Sequence, residues 1–145
     1  MTITRAQIEN ELVQRCKGYM TAVEMDLTAT GNNPDLNSPI GYAVRQCGGT
    51  VADPSTVTDA DLSTLADFDQ LADLAEERLL LNIKRHWARV NISTGQVSES
   101  LAQLADQLDN DIERITKGNA AKYTTGATLQ AGVIDLNFTE RSSNA

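Results

Sequence analysis

The feature that most constrains this chain is the stretch over residues 62–115, in which apolar residues recur every three or four positions. That spacing places the apolar residues on one face of an α-helix. Turn-forming residues at 91–95 interrupt the pattern, so we expect two long helices packed as an antiparallel hairpin. Three consecutive leucines, at 79–81, make the first of these helices apolar on more than one side. Such a helix lies at the centre of its bundle or is buried against a partner chain.

Capping and turn signals set the bounds of the two long helices. Thr58, with Asp61 three residues later, caps the start of the first, and its helical spacing continues to Trp87. The second runs over about residues 97–117, because Gly118 and Asn119 form a typical C-terminal stop.

A shorter amphipathic helix is expected near the N-terminus. Thr4 and Gln7 form a capping box, so this helix begins near Arg5. We expect it to end between residues 25 and 30, because residues 31–34 are a run of turn formers.

A second short helix follows a polar loop. Ser38 is expected as its N-cap and Pro39 as its first helical residue, since proline is favoured at that position. Gly48 and Gly49 should stop it.

Helical periodicity ends after residue 118. Residues 119–145 look partly extended, and their apolar positions have no partner strand elsewhere in the chain. A frayed terminus is one interpretation, and an arm that pairs with or docks on another chain is the one we favour. The chain thus divides into an all-α helical bundle over residues 1–118 and an extended C-terminal arm over residues 119–145. The candidate contact residues of the arm are Tyr123, Val133, Ile134, Leu136 and Phe138.

Composition and charge argue against several classes of function. Among 145 residues, 12 are basic and 20 acidic, and the net charge of -8 leaves no cation surplus for binding nucleic acid phosphates. One histidine, His86, and two cysteines, Cys16 and Cys47, are too few for a standard zinc site. The cysteines are explained as small buried hydrophobes. Nucleotide-binding and serine-hydrolase motifs are absent, so we expect no enzyme activity and no cofactor.

Neither a transmembrane helix nor a signal peptide is expected. No stretch of about 18 apolar residues exists, and the N-terminus lacks an apolar signal-peptide core. We expect a soluble protein that is made in the cytoplasm.

The charges of the central helix fall into two blocks. All of the charged residues between positions 53 and 77 are acidic, and the basic residues of the helix follow them. This order complements the helix dipole, which is the simplest explanation. It also makes the helix bipolar, which suits head-to-tail contacts between copies. The candidate subunit-interface residues are Asp67, Asp69, Asp73, Lys84, Arg85 and Arg89.

Two chemical interpretations of the acids are weaker. A calcium loop would need the glycine and terminal glutamate of an EF-hand, and both are missing. An enzyme that used Asp67 with Asp73 as a carboxylate pair would require a cleft and a raised carboxylate pKa.

Residues 58–117 resemble the central helices of tailed-phage head–tail connector adaptors. The resemblance rests on the run ADFDQLADLAEERLL at residues 66–80, on GQVSESLAQLA at residues 95–105 and on IERI at residues 112–115. It implies a small helical-bundle protein that forms a ring, usually dodecameric, below the portal of the DNA-filled capsid. Such adaptors perform no chemistry.

The resemblance also implies the partners. A connector adaptor binds its own copies, the portal protein and the next neck or tail protein, and it extends the channel through which DNA leaves the capsid. DNA would pass without specific binding, since an acidic lumen repels it. The basic end of the central helix would meet the acidic block of a neighbour, and the C-terminal arm would grip the portal. The location would be the neck of the virion, after synthesis in the host cytoplasm.

Two other functions remain open. A small acidic regulator or inhibitor, including a DNA mimic, would bind a basic protein one to one and form no ring. A different neck position, such as the stopper or the tail-end ring, is also compatible, although those proteins are usually richer in strand.

Overall fold

The computed structural model describes residues 2–94 and 99–123, with the side chains of residues 2–87 and 103–123. These residues form an all-α bundle, as predicted, and contain no strand. Their α-helices are α1 (Arg5–Ala22), α2 (Asn37–Gln46), α3 (Asp59–Leu62), α4 (Phe68–Thr94) and α5 (Glu99–Tyr123), and a 3-10 turn over Pro34–Leu36 precedes α2.

The centre of the bundle is α4, as the leucine run predicts. It packs against α1, α2 and α5. Leu79 and Leu80 are almost fully buried, and the neighbouring Leu81 is partly buried. With 27 residues, α4 is about 40 Å long. The largest buried apolar side chains around it are Ile8, Leu12, Met20, Leu36, Ile40, Leu62 and Leu108, and α4 itself adds Leu71 and Ile83.

The antiparallel hairpin of α4 and α5 is also confirmed. Asp73, near the start of α4, contacts Tyr123 at the end of α5. Lys84, further along α4, pairs with Asp109 in the first half of α5. The two chain directions are therefore opposite.

The N-terminal helix begins as predicted and ends earlier. Thr4 and Gln7 form the capping box, but α1 stops at Ala22 rather than at residues 25–30. Glu24 adopts a left-handed conformation with φ 60°. The Met25 N–H then donates to the Met20 carbonyl at 2.9 Å. This hydrogen bond caps the C-terminus of α1, and the chain turns back across the helix from there.

The start of α2 differs from the prediction. The 3-10 turn Pro34–Leu36 leads directly into it, so the helix begins at Asn37, and Ser38 is not the N-cap. The predicted stop is confirmed, because α2 ends at Gln46 and Gly48 has φ +86°. Gly49 is required by packing, since a Cβ there would lie 2.9 Å from Cγ1 of Val44.

The prediction of one continuous helix from Thr58 to Trp87 is wrong. Thr58 and Asp61 do form a capping box, but α3 extends only over Asp59–Leu62. Asp67 then caps a new helix, because its Oδ1 accepts the Gln70 N–H at 3.0 Å. Apolar residues keep their helical spacing across the break between α3 and α4. The spacing alone therefore did not indicate that the helix is interrupted there.

Both ends of the hairpin extend beyond their predicted bounds. The helix α4 continues into the predicted turn at 91–95 and ends at Thr94. The helix α5 continues through Gly118 and Asn119 to Tyr123, so the predicted stop at Lys117 is wrong. The predicted arm therefore begins with helical residues. Its candidates Val133, Ile134, Leu136 and Phe138 lie outside the described residues.

Candidate functional site: the polar surfaces of the central helix

Asp73 lies where three helices meet. Arg15 of α1 approaches it through Nη1 at 2.8 Å and also binds Glu76 at 3.1 Å. The Arg15 Nε donates to Glu11 at 2.8 Å, one turn earlier on α1. Burial lowers the pKa of Arg15, but the hydrogen bonds from its guanidinium to these carboxylates outweigh that effect and raise the pKa above its usual range. Arg15 is therefore a fixed cation that joins α1 to α4.

The end of α5 binds the same carboxylate. The Tyr123 hydroxyl donates to Oδ2 of Asp73 at 2.6 Å, and Lys122 Nζ lies 3.7 Å away. Burial raises the pKa of Asp73, but the hydrogen bonds from Tyr123 and Arg15 outweigh burial and lower it. The same hydrogen bond raises the pKa of Tyr123 to about 12.

Asn119 adds a second anchor for α5. Its side-chain amide donates to the Asp73 carbonyl at 3.0 Å and to Oε1 of Glu77 at 2.9 Å. Asn119 is only 5% exposed. We call Arg15, Asp73, Glu77, Asn119 and Tyr123 the Asp73 cluster.

The six predicted interface residues therefore differ in what they already bind. Asp73 is 18% exposed and is paired within its own chain. Asp67 and Asp69 are exposed at the start of α4, where acids complement the helix dipole. The interpretation of Asp67 and Asp73 as a carboxylate pair requires a raised carboxylate pKa, whereas the hydrogen bonds of Asp73 lower its pKa against the effect of burial.

The basic residues of α4 differ in the same way. Lys84 forms an ion pair with Asp109 at 2.8 Å, with both side chains about half exposed. Arg78 lies over the ring of Tyr42, 4.1 Å from its centre. Arg85 is exposed and has no ion-pair partner among the described residues. The side chain of Arg89 lies outside the described set.

Arg85 and His86 also line an open cleft of about 520 Å³. Its other wall carries Glu24 and Asp35. Asp35 already accepts the Asp26 N–H at 2.9 Å. No group of three histidine, cysteine or acidic residues in the described part of the chain could hold a metal ion.

A buried ion pair on α1 was not predicted. Arg5 is 3% exposed and Glu9 fully buried, and Nε of the arginine lies 2.7 Å from Oε2 of the glutamate. The Gly31 N–H donates to Glu9 at 2.7 Å, and the Asn33 N–H does so at 3.0 Å. Glu9 thus holds the chain that returns from α1.

Arg5 holds the second loop. Its Nη1 donates to the Val57 carbonyl at 2.8 Å and also to Asn37. The Arg5 backbone N–H donates to Asp59 at 2.8 Å. The sequence does show Arg5 and Glu9 at positions i and i+4. That spacing is far commoner for ion pairs on exposed helix faces, so it did not indicate a buried pair.

The two cysteines occupy different environments. Cys16 is 1% exposed, and burial raises the pKa of its thiol to about 12. Cys47 is partly buried, which also raises its pKa. The prediction of a small buried hydrophobe is confirmed for Cys16 and holds only in part for Cys47.

Comparison with known proteins identifies no relative. No protein-family model, no curated protein and no solved structure matches this chain. None of the described helices is long and apolar enough to cross a membrane.

Proposed function

We propose that this chain is a head–tail connector adaptor, a virion protein that forms a ring between the portal and the next neck or tail component. The observation that carries the proposal is the α4–α5 hairpin, which occupies the segment that resembles the adaptors. A helix that is about 40 Å long gives each subunit enough height to extend a channel.

Charged side chains of α4 and its N-cap that have no ion-pair partner among the described residues support head-to-tail contacts. Asp67 and Asp69 are exposed at one end of α4, and Arg85 is exposed near the other. At about 1.5 Å per residue, Asp69 and Arg85 are about 24 Å apart along the helix axis. A neighbouring copy that is displaced along this axis brings opposite charges together. Asp73 and Lys84 contribute less to such a contact, because each already has a partner within the chain.

The net charge supports the role of a passive channel. Each copy has a formal net charge of -8 at pH 7. A ring of such copies repels DNA phosphates, so DNA slides through the channel instead of binding to its wall.

Light scattering tests the proposal directly. The mass of the purified protein is measured alone and then after mixing with each of a panel of purified portal rings. Joining one portal in about as many copies as the portal has subunits supports the adaptor. A protein that ignores every portal but binds one basic protein with a stoichiometry of one to one contradicts the adaptor and favours the acidic regulator.

A charge reversal tests the proposed ring contact. We expect the double variant Arg85→Glu and Arg89→Glu to block assembly while its circular dichroism spectrum stays that of the parent. The matched control is Lys17→Glu with Arg45→Glu, which changes the net charge equally at two exposed cations on α1 and α2. Assembly of both variants would refute the placement of the contact, and failure of both would indicate a general effect of charge.

A truncation tests the arm. Because α5 continues to Tyr123, the chain should be shortened after that residue rather than after Gly118. We expect the shortened protein to keep its helical content and to lose portal binding. The full-length variant Leu136→Ser with Phe138→Ser should lose binding too if apolar contacts hold the arm. A truncated protein that still binds the portal would refute the arm.

A further inference from the structure

The final six residues of α5, 118–123, begin with two residues that disfavour a helix. Gly118 and Asn119 lie within the helix, although both have low helix propensity and together usually end one. A Cβ placed on Gly118 would meet nothing within 4 Å. No close packing in the described chain therefore requires glycine at this position.

Contacts from outside the helix stabilise this turn. The Asn119 amide donates to the Asp73 carbonyl and to Glu77, and the Tyr123 hydroxyl donates to the Asp73 carboxylate. Arg15 binds the same carboxylate from α1. The low helix propensity of Gly118 and Asn119 favours a break in α5 at this point, and the Asp73 cluster favours docking of the residues that follow.

We infer that residues 118–123 form a latch, a terminal turn that exchanges between a docked helix and an unwound segment while the rest of α5 stays in place. The Asp73 carboxylate closes the latch, because it is the point where α1, α4 and Tyr123 meet. This conclusion concerns the chain alone and does not rest on the proposed ring.

Opening of the latch would change the reach of the C-terminal segment. Six residues span about 9 Å as a helix and about 20 Å when extended. The segment that begins at residue 124 would therefore gain about 10 Å of reach. A partner that binds this segment at the longer reach would draw the latch open, since it binds only one of the two states.

Three variants of the full-length protein test the latch by amide hydrogen exchange, measured by NMR. Tyr123→Phe removes the hydroxyl that binds Asp73, and we expect exchange over residues 119–123 to become about tenfold faster. Gly118→Ala improves the helix without a clash, and we expect exchange there to become about fivefold slower. Glu113→Gln breaks only the exposed pair with Lys117 and serves as the control with no change.

The pattern of exchange decides the outcome. Opposite shifts in the first two variants, confined to residues 119–123, support the latch. Unchanged exchange in both would overturn it, because the turn would then be held by neither propensity nor these contacts. Faster exchange throughout α5 in Tyr123→Phe would also overturn it, because the turn would not open separately. The Gly118→Ala result applies even if Tyr123→Phe fails to fold.

Discussion

Glu24 adopts a backbone conformation that glycine adopts at far lower cost. Its φ of 60° lies in the left-handed region, and the Glu24 N–H donates to the Thr21 carbonyl at 3.1 Å to close the end of α1. Most helices that end in this way have glycine at the corresponding position. A side chain there costs about 1 kcal/mol, because its Cβ crowds the backbone.

We therefore expect Glu24→Gly to raise the free energy of unfolding by about 1 kcal/mol. Urea denaturation followed by circular dichroism measures the difference. Glu24→Ala is the control, since alanine keeps the Cβ and loses only the carboxylate. Equal stabilisation by both variants would show that the negative charge at the end of α1 is unfavourable and that backbone strain is not the cause.

The Arg5–Glu9 pair differs from the exposed ion pairs in the number of groups that depend on it. Glu9→Ala leaves the buried Arg5 guanidinium without its carboxylate and removes the acceptor for two backbone N–H groups. We expect a loss of about 3–5 kcal/mol in the free energy of unfolding. Glu113→Ala, which breaks an exposed pair of the same spacing, should cause no measurable change. Similar effects of the two variants would mean that burial does not determine the strength of the Arg5–Glu9 pair.

The sequence alone could not separate these two ion pairs. Arg5 and Glu9 have the same i, i+4 spacing as Glu113 and Lys117. Residues 31–33 return across α1 and donate two backbone N–H groups to the buried Glu9, and the chain begins this return at the left-handed Glu24. The spacing of charges predicts neither event.

At the scale of the element, capping signals predicted the starts of α1 and α3, whereas the end of α5 could not be predicted from local sequence. The capping boxes at Thr4 and Thr58 act within one turn, so the sequence contains all of their partners. The end of α5 depends on Asn119, whose partners Asp73 and Glu77 lie on another helix. Gly118 and Asn119 predict a stop locally, and tertiary contacts override that signal.

The break between α3 and α4 makes Asp67 a structural residue as well as a candidate for the subunit interface. We expect Asp67→Ala to lower the free energy of unfolding by about 1 kcal/mol, because the α4 N-cap is lost. Asp67→Asn should preserve stability, because asparagine caps equally well and only the charge is removed. Chemical denaturation of both variants measures the two effects. Equal destabilisation would mean that the charge, and not the cap, is the stabilising property.

The same pair of variants separates stability from assembly. If Asp67 meets Arg85 of a neighbouring copy, Asp67→Asn should weaken the ring while the subunit stays as stable as the parent. A ring of undiminished mass in Asp67→Asn would leave Asp67 with its capping role alone.

At the scale of the whole molecule, the architecture could be predicted because it depends on periodicity. The leucines at 79–81 indicate a helix with neighbours on several sides, and α4 does contact α1, α2 and α5. The pairing of charges could not be predicted in this way. Lys84 appears as free as Arg85 in the sequence, and only the register of α5 places Asp109 beside it.

Two electrostatic effects of different range act on the proposed ring. Copies with a net charge of -8 each repel one another over long distances. Low salt concentrations are enough to screen this long-range repulsion. The contact between Arg85 and the acids of a neighbour acts over about 4 Å and is weakened only at higher salt. Assembly should therefore be greatest at an intermediate ionic strength.

We expect the assembled fraction, measured by sedimentation velocity, to rise between about 0.01 M and 0.1 M salt and to fall again towards about 1 M. The fall depends on the short contact, so it should disappear in a variant with Arg85→Gln, whereas the rise depends on net charge and should persist. A steady fall from the lowest salt onward would mean that opposite charges dominate at every distance. A steady rise would mean that apolar surface holds the copies together, and the charges of α4 would then serve the helix dipole alone.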